Sequence, residues 1–345
     1  MCAAPFSPRE VTLRRVSARK KVLVITIDPA EAAFRLRLGI LPQLLSDDGY
    51  DFDFHTRPPG FWDRRKLIAT AAGYHAVIVQ RKLLDPSHAR LLRRRARLVI
   101  FELDDAVMVQ RRKISRWSQW LKDRRFRATA RATDHVVAGN DYLAGQFKPF
   151  GCRTTVLPTV VDPAHYRTKV HADMAVSTLV WIGSGSTLPY LLQAMPAIEA
   201  AAKKIGKLKL ITIADRSVTS DIVEVEHAPW SLETEADALA RGDIGIAPTP
   251  KDQWTAGKSG FKIIQYMATG LPTIASPVGA NAAIITNGVD GILPATDDDW
   301  PDAIVRLATD TAVRREMGIA ARKTVERLYT LDRAAEAWRN VLSGS

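Results

Sequence analysis

Cysteine is nearly absent: Cys2 and Cys152 are the only two in 345 residues. A pair so far apart gives neither a disulfide framework nor zinc-ligand spacing, and it fits a reducing compartment. Apolar runs are short, and none reaches the ~18 uncharged residues that a membrane-spanning helix needs. The first twenty residues are basic and have no apolar centre, so they do not read as a secretory signal. The cytoplasm is therefore the expected location. Solenoid-length repeats are missing, as are helix-turn-helix, zinc-finger and aromatic-sheet signatures. Nucleic acid is not an expected partner, and no His/Asp cluster prepares a metal site.

Negative charge is scarce in one half only. The net charge is +12. Residues 1–170 carry 32 Lys and Arg against 16 Asp and Glu, whereas residues 171–345 carry 17 against 21. A field as positive as that of the first half recruits phosphate, anionic lipid or charged glycan. The segment 111–127, RRKISRWSQWLKDRRFR, holds eight basic residues with Trp117, Trp120 and Phe126. It predicts a basic amphipathic helix suited to an anionic membrane surface, with Trp117 and Trp120 as the contacts. Burial of the Ile114, Trp117 and Leu121 stripe in a core is the alternative.

What is present in abundance is alternation. Val- and Ile-rich runs at 21–27, 51–56, 75–80, 97–103, 135–140 and 154–159 alternate with helical stretches at 31–46, 62–73, 86–95, 115–131 and 141–148. After the Pro-containing, aperiodic segment 158–175 a second series follows at 178–184, 207–214, 222–228, 244–250, 272–276 and 291–295. Helices are predicted between these at 188–204, 231–240, 260–269 and 297–309, and two more at 311–328 and 332–343 end the chain. Continuous apolar strands separated by helices mean parallel sheets covered on both faces. The division expected is a basic, flexible N-terminus (1–20), a first Rossmann-like domain (21–165), a second one (166–328) and a C-terminal helix (329–345). Two such domains place a ligand site between the carboxyl edges of their strands.

The segment GKSGFKIIQYMATGLPTIASPVGAN, 257–281, carries the most chemistry. Lys258 and Lys262, four apart around Gly260 and Phe261, bring two ammonium groups to a helix start, where N–H groups and dipole also favour an anion. Gln265, one turn on, suits ribose hydroxyls. Gly279, Ala280 and Asn281 form a second backbone-exposing turn. Gly183 and Ser184 make a Gly/Ser turn after a strand, which can offer N–H groups to phosphate. Trp230 is placed either to stack on a base or to pack in the core. Asp104 and Asp105 close an apolar strand, positioned either for work in the cleft or for capping and salt bridges. Arg35 and Arg37 follow the first strand and suit an anionic acceptor or a plain surface.

The segment KIIQYMATGLPTIASPVGANAAIITNGVDGILPATDDDW resembles the donor block of the retaining GT-B glycosyltransferases of family 4 (glycosyl transferases group 1). WIGSGSTLPYLLQAMPAI, FELDDA, AGNDYLAGQF and LPTVVDPAHY are similar to further parts of those enzymes, so the resemblance covers most of the chain. It implies a GT-B fold, a nucleotide-diphosphate-sugar donor bound as substrate, no cofactor and no metal. It also places Asp104 or Asp105 at a donor-contacting position, and with Lys258 and Lys262, whose charges would neutralise the leaving diphosphate, these are the expected catalytic residues. A glycan or lipid-linked envelope acceptor, transfer with retention and peripheral attachment to the inner membrane face are further expectations. Where that family often shows Glu, seven residues, then Glu, this chain has Gly257 and Gln265. The family's Arg and Lys after the first C-terminal strand are replaced by the Ser184-Gly185-Ser186 turn, and Lys258 and Lys262 can restore the charge. A sugar-nucleotide epimerase of the same fold and a non-catalytic binder of anionic surfaces or nucleic acid are the competing readings.

Overall fold

The computed structural model describes residues 19–110, 115–173 and 176–344. The expected N-terminal extension to residue 18, and residues 111–114 of the basic segment, lie outside the described residues.

All twelve expected strands form. Six of them, β1 (Lys20–Thr26), β2 (Tyr50–Thr56), β3 (Ala76–Gln80), β4 (Val99–Leu103), β5 (His135–Ala138) and β6 (Arg153–Val156), make one parallel sheet in the order β2-β1-β3-β4-β5-β6. The other six are β7 (Ser177–Ile182), β8 (Leu208–Ala214), β9 (Glu224–Pro229), β10 (Ile244–Ala247), β11 (Thr273–Ala275) and β12 (Gly291–Ile292). They form a second parallel sheet in the order β12-β11-β10-β7-β8-β9, which read from its far edge is the Rossmann order. The central strands β3, β4, β5, β7 and β10 are buried along their whole length, because helices cover both faces.

Helix bounds depart from expectation where turn chemistry intervenes. The stretch 31–46 is two helices, Ala32–Arg37 and Leu41–Leu45, broken at Gly39 and restarted with Pro42 in its first turn. The stretch 231–240 is helical only over Glu235–Ala240, and 141–148 over Asp141–Gly145 followed by a short 3-10 turn.

The last helix, Leu331–Ser343, crosses back to the first sheet. Its Ala334, Ala335, Trp338, Val341 and Leu342 pack with Val22, Val24, Ile78 and Ile100. His75 Nε2 meets the Leu342 carbonyl at 2.8 Å, and Arg339 pairs with Asp48 at 2.7 Å. The chain thus passes between the domains twice, and Val161 N–H bonds the Tyr329 carbonyl at 2.9 Å where the two crossings meet. Trp338 is 1% exposed. Trp338→Ala is expected to destabilise the protein by about 3–5 kcal/mol, read as a lower urea midpoint. A midpoint unchanged from wild type would detach this helix from the N-terminal core.

Candidate functional site

The carboxyl ends of β7 and β10 flank the point where the second sheet reverses its strand order. Loops leave in opposite directions there and open a crevice. A cavity of about 410 Å³ occupies it, and Arg35 and Leu36 of the first domain close its far wall. Arg35, Gly183, Ser184, Trp230, Lys258, Gly260, Phe261, Lys262, Gln265 and Asn281 all line it. Residues from six separate stretches of sequence meet here.

Lys262 sits in the first turn of the helix Phe261–Ala268, which Gly260 initiates at φ 69, a left-handed conformation that suits glycine. Its Nζ lies 4.9 Å from the centre of the buried Trp181 ring, and no carboxylate pairs with it among the described residues. Burial, aided by the nearby Lys258 charge, pushes its ammonium down to about 7. A cation–π contact is a weak substitute for water or a counter-ion. An anion entering the cavity supplies the missing partner.

Lys258 is not free in the same way. It stacks over Trp254 at 4.9 Å and reaches across the domain boundary to Asp105 Oδ1 at 2.7 Å. Asp105 also takes Arg81 Nη2 at 2.8 Å, and Asp104 Oδ1 lies 3.4 Å from Arg81 Nε. The other arm of Arg81 pairs with Glu31 at 2.8 Å. Burial, reinforced by the Asp105 charge, raises the Asp104 carboxyl above its ordinary range. Neither aspartate lines the cavity. They hold Arg81 and Lys258 at the domain junction, the salt-bridging alternative of the sequence reading.

The loop that carries Lys258 is gripped by the first domain. Asn140 Nδ2 donates to the carbonyls of Ala256 (3.0 Å) and Lys258 (2.9 Å), and its Oδ1 caps the helix Asp141–Gly145. A Cβ at Gly257 would come within 2.5 Å of Ala106 Cβ and 2.9 Å of its backbone nitrogen, so no side chain fits there. Gly279 (φ 54) abuts the Ala256 carbonyl from the other side, where an added Cβ would lie 2.6 Å from the oxygen. Gly279 and Ala280 therefore shape the loop and do not face the cavity. Asn281 does line it, donating to the Ser276 carbonyl at 3.1 Å.

Two further expectations are corrected, and one alternative is excluded. Arg37 is 5% exposed and donates to Glu102 Oε1 at 2.5 Å and to Thr159 Oγ1 at 3.2 Å. It is a buried ion pair, not an acceptor contact, and of the two arginines only Arg35 faces the cavity. The Gly/Ser turn closes on itself. Its Gly183, Ser184 and Gly185 N–H groups donate to Ile213 O, Thr187 Oγ1 and Asp215 Oδ1. Trp117 and Trp120 are not core residues: they are 66% and 47% exposed and stacked at 4.8 Å.

Sequence reasoning missed Glu235. It is 7% exposed, lines the cavity and has no ion-pair partner among the described residues. Its Oε2 accepts from Trp230 Nε1 at 2.6 Å and its Oε1 from Gln265 Nε2 at 3.0 Å. Gln265 Nε2 also meets Tyr166 Oη at 3.3 Å. Burial raises the Glu235 carboxyl above its ordinary range. The available signal was the spacing Trp230-x4-Glu235 before a helix, which is too common to single out.

Residues 176–310 match the family model described as Glycosyl transferases group 1. Among solved structures, sucrose-phosphate synthase from Thermosynechococcus elongatus superposes with a TM-score of 0.68 at 17% identity, covering 95% of this chain and 100% of that one. HepE of Anabaena, solved with UDP and glucose, gives 0.62 at 15% identity over 95% and 100%. The lipopolysaccharide outer core galactosyltransferase WaaB gives 0.65 at 11% over 94% and 99%. The chain has the GT-B fold. A curated D-inositol 3-phosphate glycosyltransferase of Kribbella flavida is 38% identical over 64 residues, which is 18% of this chain and 15% of that relative. Together these likenesses support a GT-B glycosyltransferase.

The state of Lys262 has a measurable consequence. Its folded-state value lies far below the unfolded lysine value of about 10.4. Between those two values the unfolded chain binds the extra proton, so this residue's contribution to stability rises with pH there, and near neutrality its charge is a burden. Lys262→Met is expected to hold or raise the melting temperature while abolishing the stabilisation that a nucleoside diphosphate gives. In wild type, relative to that variant, diphosphate affinity falls as pH rises through 7, because binding must take up a proton. Melting curves with and without UDP across pH 6–9 check both, and a variant that still responds to UDP would remove Lys262 from the site.

Proposed function

We propose that this chain transfers a sugar, a hexose or a related one, from a nucleotide-diphosphate-sugar donor to a glycan or lipid-linked envelope acceptor, with retention. The observation that carries the reading is an unpaired, half-desolvated lysine facing a cavity of about 410 Å³ at the switch point of a Rossmann-like sheet. In sugar transfer the departing nucleoside diphosphate gains negative charge as the glycosidic bond breaks. A preorganised ammonium in a dry site stabilises that charge without reorganisation and commonly contributes several kcal/mol. Lys262 is the primary donor in this role. Lys258 joins it by exchanging part of its contact with Asp105.

Gln265, Glu235 and Trp230 form the nucleoside end. An amide at 265 can donate to Glu235, whereas a carboxylate there would oppose it. The chain therefore keeps one carboxylate near the ribose position but carries it on a different helix from the family's pattern. The free lone pairs of Glu235 suit ribose hydroxyls, and Trp230, 43% exposed, offers its face to the base. Arg35 reaches the cavity from the acceptor domain and suits an anionic group on the incoming substrate.

The donor assay uses UDP-, GDP-, ADP- and TDP-sugars with nucleotide release as readout, starting from UDP-glucose because HepE is described with UDP-glucose. Turnover is expected to persist in chelator, since lysines and the helix N-terminus meet the diphosphate charge. Loss in EDTA restored by magnesium would refute this. Glu235→Gln is expected to weaken UDP binding about tenfold, and to weaken 2′,3′-dideoxy-UDP far less, through loss of a charge-assisted hydrogen bond. The epimerase reading is not favoured, because Glu235 is the one carboxylate lining the cavity among the described residues and it is already engaged.

The acceptor is expected at an anionic membrane surface on the cytoplasmic side. Trp117 and Trp120 stand on the helix Arg116–Ala132, whose Arg124 lies over the Trp120 ring at 5.3 Å. No helix among the described residues is long and apolar enough to cross a membrane. Attachment through this helix would be reversible and released by salt. Trp117→Ala/Trp120→Ala is expected to lose co-sedimentation with anionic vesicles, and equal binding to neutral vesicles would contradict it.

A further inference from the structure

On the face of the first sheet covered by the helices Phe61–Ala69, Pro86–Arg95 and Arg116–Ala132, two arginines pair with one carboxylate and two further cations stand in their field. Asp85, at the start of the middle helix, accepts from Arg125 Nε at 2.8 Å and lies 3.7 Å from Arg64 Nη2. Arg57, just after β2, and Lys82, just after β3, stand in the field of the same three groups and have no ion pair of their own among the described residues. Arg64 donates Nη1 to the Pro59 carbonyl at 3.0 Å, but its Nε is buried with no hydrogen-bond partner. Arg57, Arg64, Asp85 and His88 line a small apolar-walled hollow of about 20 Å³ between them.

Such an arrangement is unfavourable for the empty protein. Partial desolvation comes first and neighbouring cations add to it, holding both Arg57 and the more exposed Lys82 below their ordinary values. Asp85 offsets one charge of four. Asp63 on the first helix is mostly exposed and pairs loosely with Lys66 at 3.9 Å, so it does not relieve the cluster. The guanidinium of Arg125 leaves the same helix that carries the exposed Trp117 and Trp120, and Trp62, 69% exposed, is two residues from Arg64. The helices all begin at the carboxyl edge of the sheet. The cluster therefore faces the same side of the domain as the cleft without lining its cavity.

We propose that Arg57, Arg64, Lys82 and Arg125 form a second anion site, which takes a phosphate monoester or diphosphate group. Forked guanidinium groups and a lysine suit a phosphoryl group with several unshared oxygens. A carboxylate-only headgroup offers fewer acceptors in a less compact charge. The site does not depend on sugar transfer, since none of its residues touches the donor cavity.

The test is titration of inorganic pyrophosphate into wild type, Arg57→Gln/Lys82→Gln, Lys82→Gln and Lys262→Met. Wild type is expected to bind at two sites, and the event assigned to this one survives in Lys262→Met and weakens at least about tenfold in the double variant, with Lys82→Gln in between. Because the charges repel, the double variant should melt no lower than wild type in phosphate-free buffer. Unchanged titration in both Gln variants would overturn the site, as would a lowered melting temperature in exposed Lys82→Gln, which would make the cation a structural element. Vesicles of phosphatidylcholine with phosphatidic acid, against vesicles with phosphatidylserine at equal charge, separate the sources. Preference for phosphatidic acid, lost in the double variant, supports the site and assigns it to a lipid phosphate. Pyrophosphate binding without any vesicle preference supports it as a site for a soluble phosphate.

Discussion

Asn140 reaches across the domain boundary and holds two carbonyls of the 254–259 loop with one amide group. Around that contact the loop has no freedom to stand off. Gly257 lies against the Ala106 backbone, Trp254 packs on the first domain's core, and Lys258 is tied to Asp105. The helix that carries Lys262 and Gln265 begins immediately afterwards. The geometry of the cavity thus depends on a clasp whose two halves belong to different domains.

The electrostatics of the cavity follow from that closure. At the junction Arg37 has Glu102, Arg81 has Asp104, Asp105 and Glu31, and Lys258 has Asp105. Lys262 has an aromatic ring. The same logic operates at the other end, where Glu235 is buried without an ion pair among the described residues and accepts from two neutral N–H donors. Lys262 and Glu235, neither in an ion pair among the described residues and both facing a shared cavity, match a ligand with a phosphate at one end and hydroxyls at the other. A chain selected only for stability would pair or remove both.

Strand positions and the doubled Rossmann-like architecture were legible because most strands are short apolar runs rich in Val and Ile between helix-length segments, a signal that resides in consecutive residues. The lysine-bearing loop and its Gly260 start were legible for the same reason. Pairings between distant segments were not. Lys258 and Asp105 are 153 residues apart, Arg37 and Glu102 are 65 apart, and Gln265 and Glu235 are 30 apart. Nothing local distinguishes Arg37, buried in an ion pair, from Arg35, which faces the cavity two residues earlier. Helical geometry alone turns their side chains to different sides. The Gly183-Ser184 turn misled for a related reason: its composition promised free N–H groups, but Asp215 and Thr187 occupy them.

The central claim is that the uncompensated charge of Lys262 exists to meet a diphosphate. The most direct measurement is a crystal structure of the wild-type protein soaked with UDP. The account predicts the diphosphate within charge-assisted hydrogen-bond distance of Lys262 Nζ, the ribose against Glu235 and Gln265, and the uracil beside Trp230. A UDP molecule bound elsewhere, with Lys262 still resting over Trp181, would contradict it.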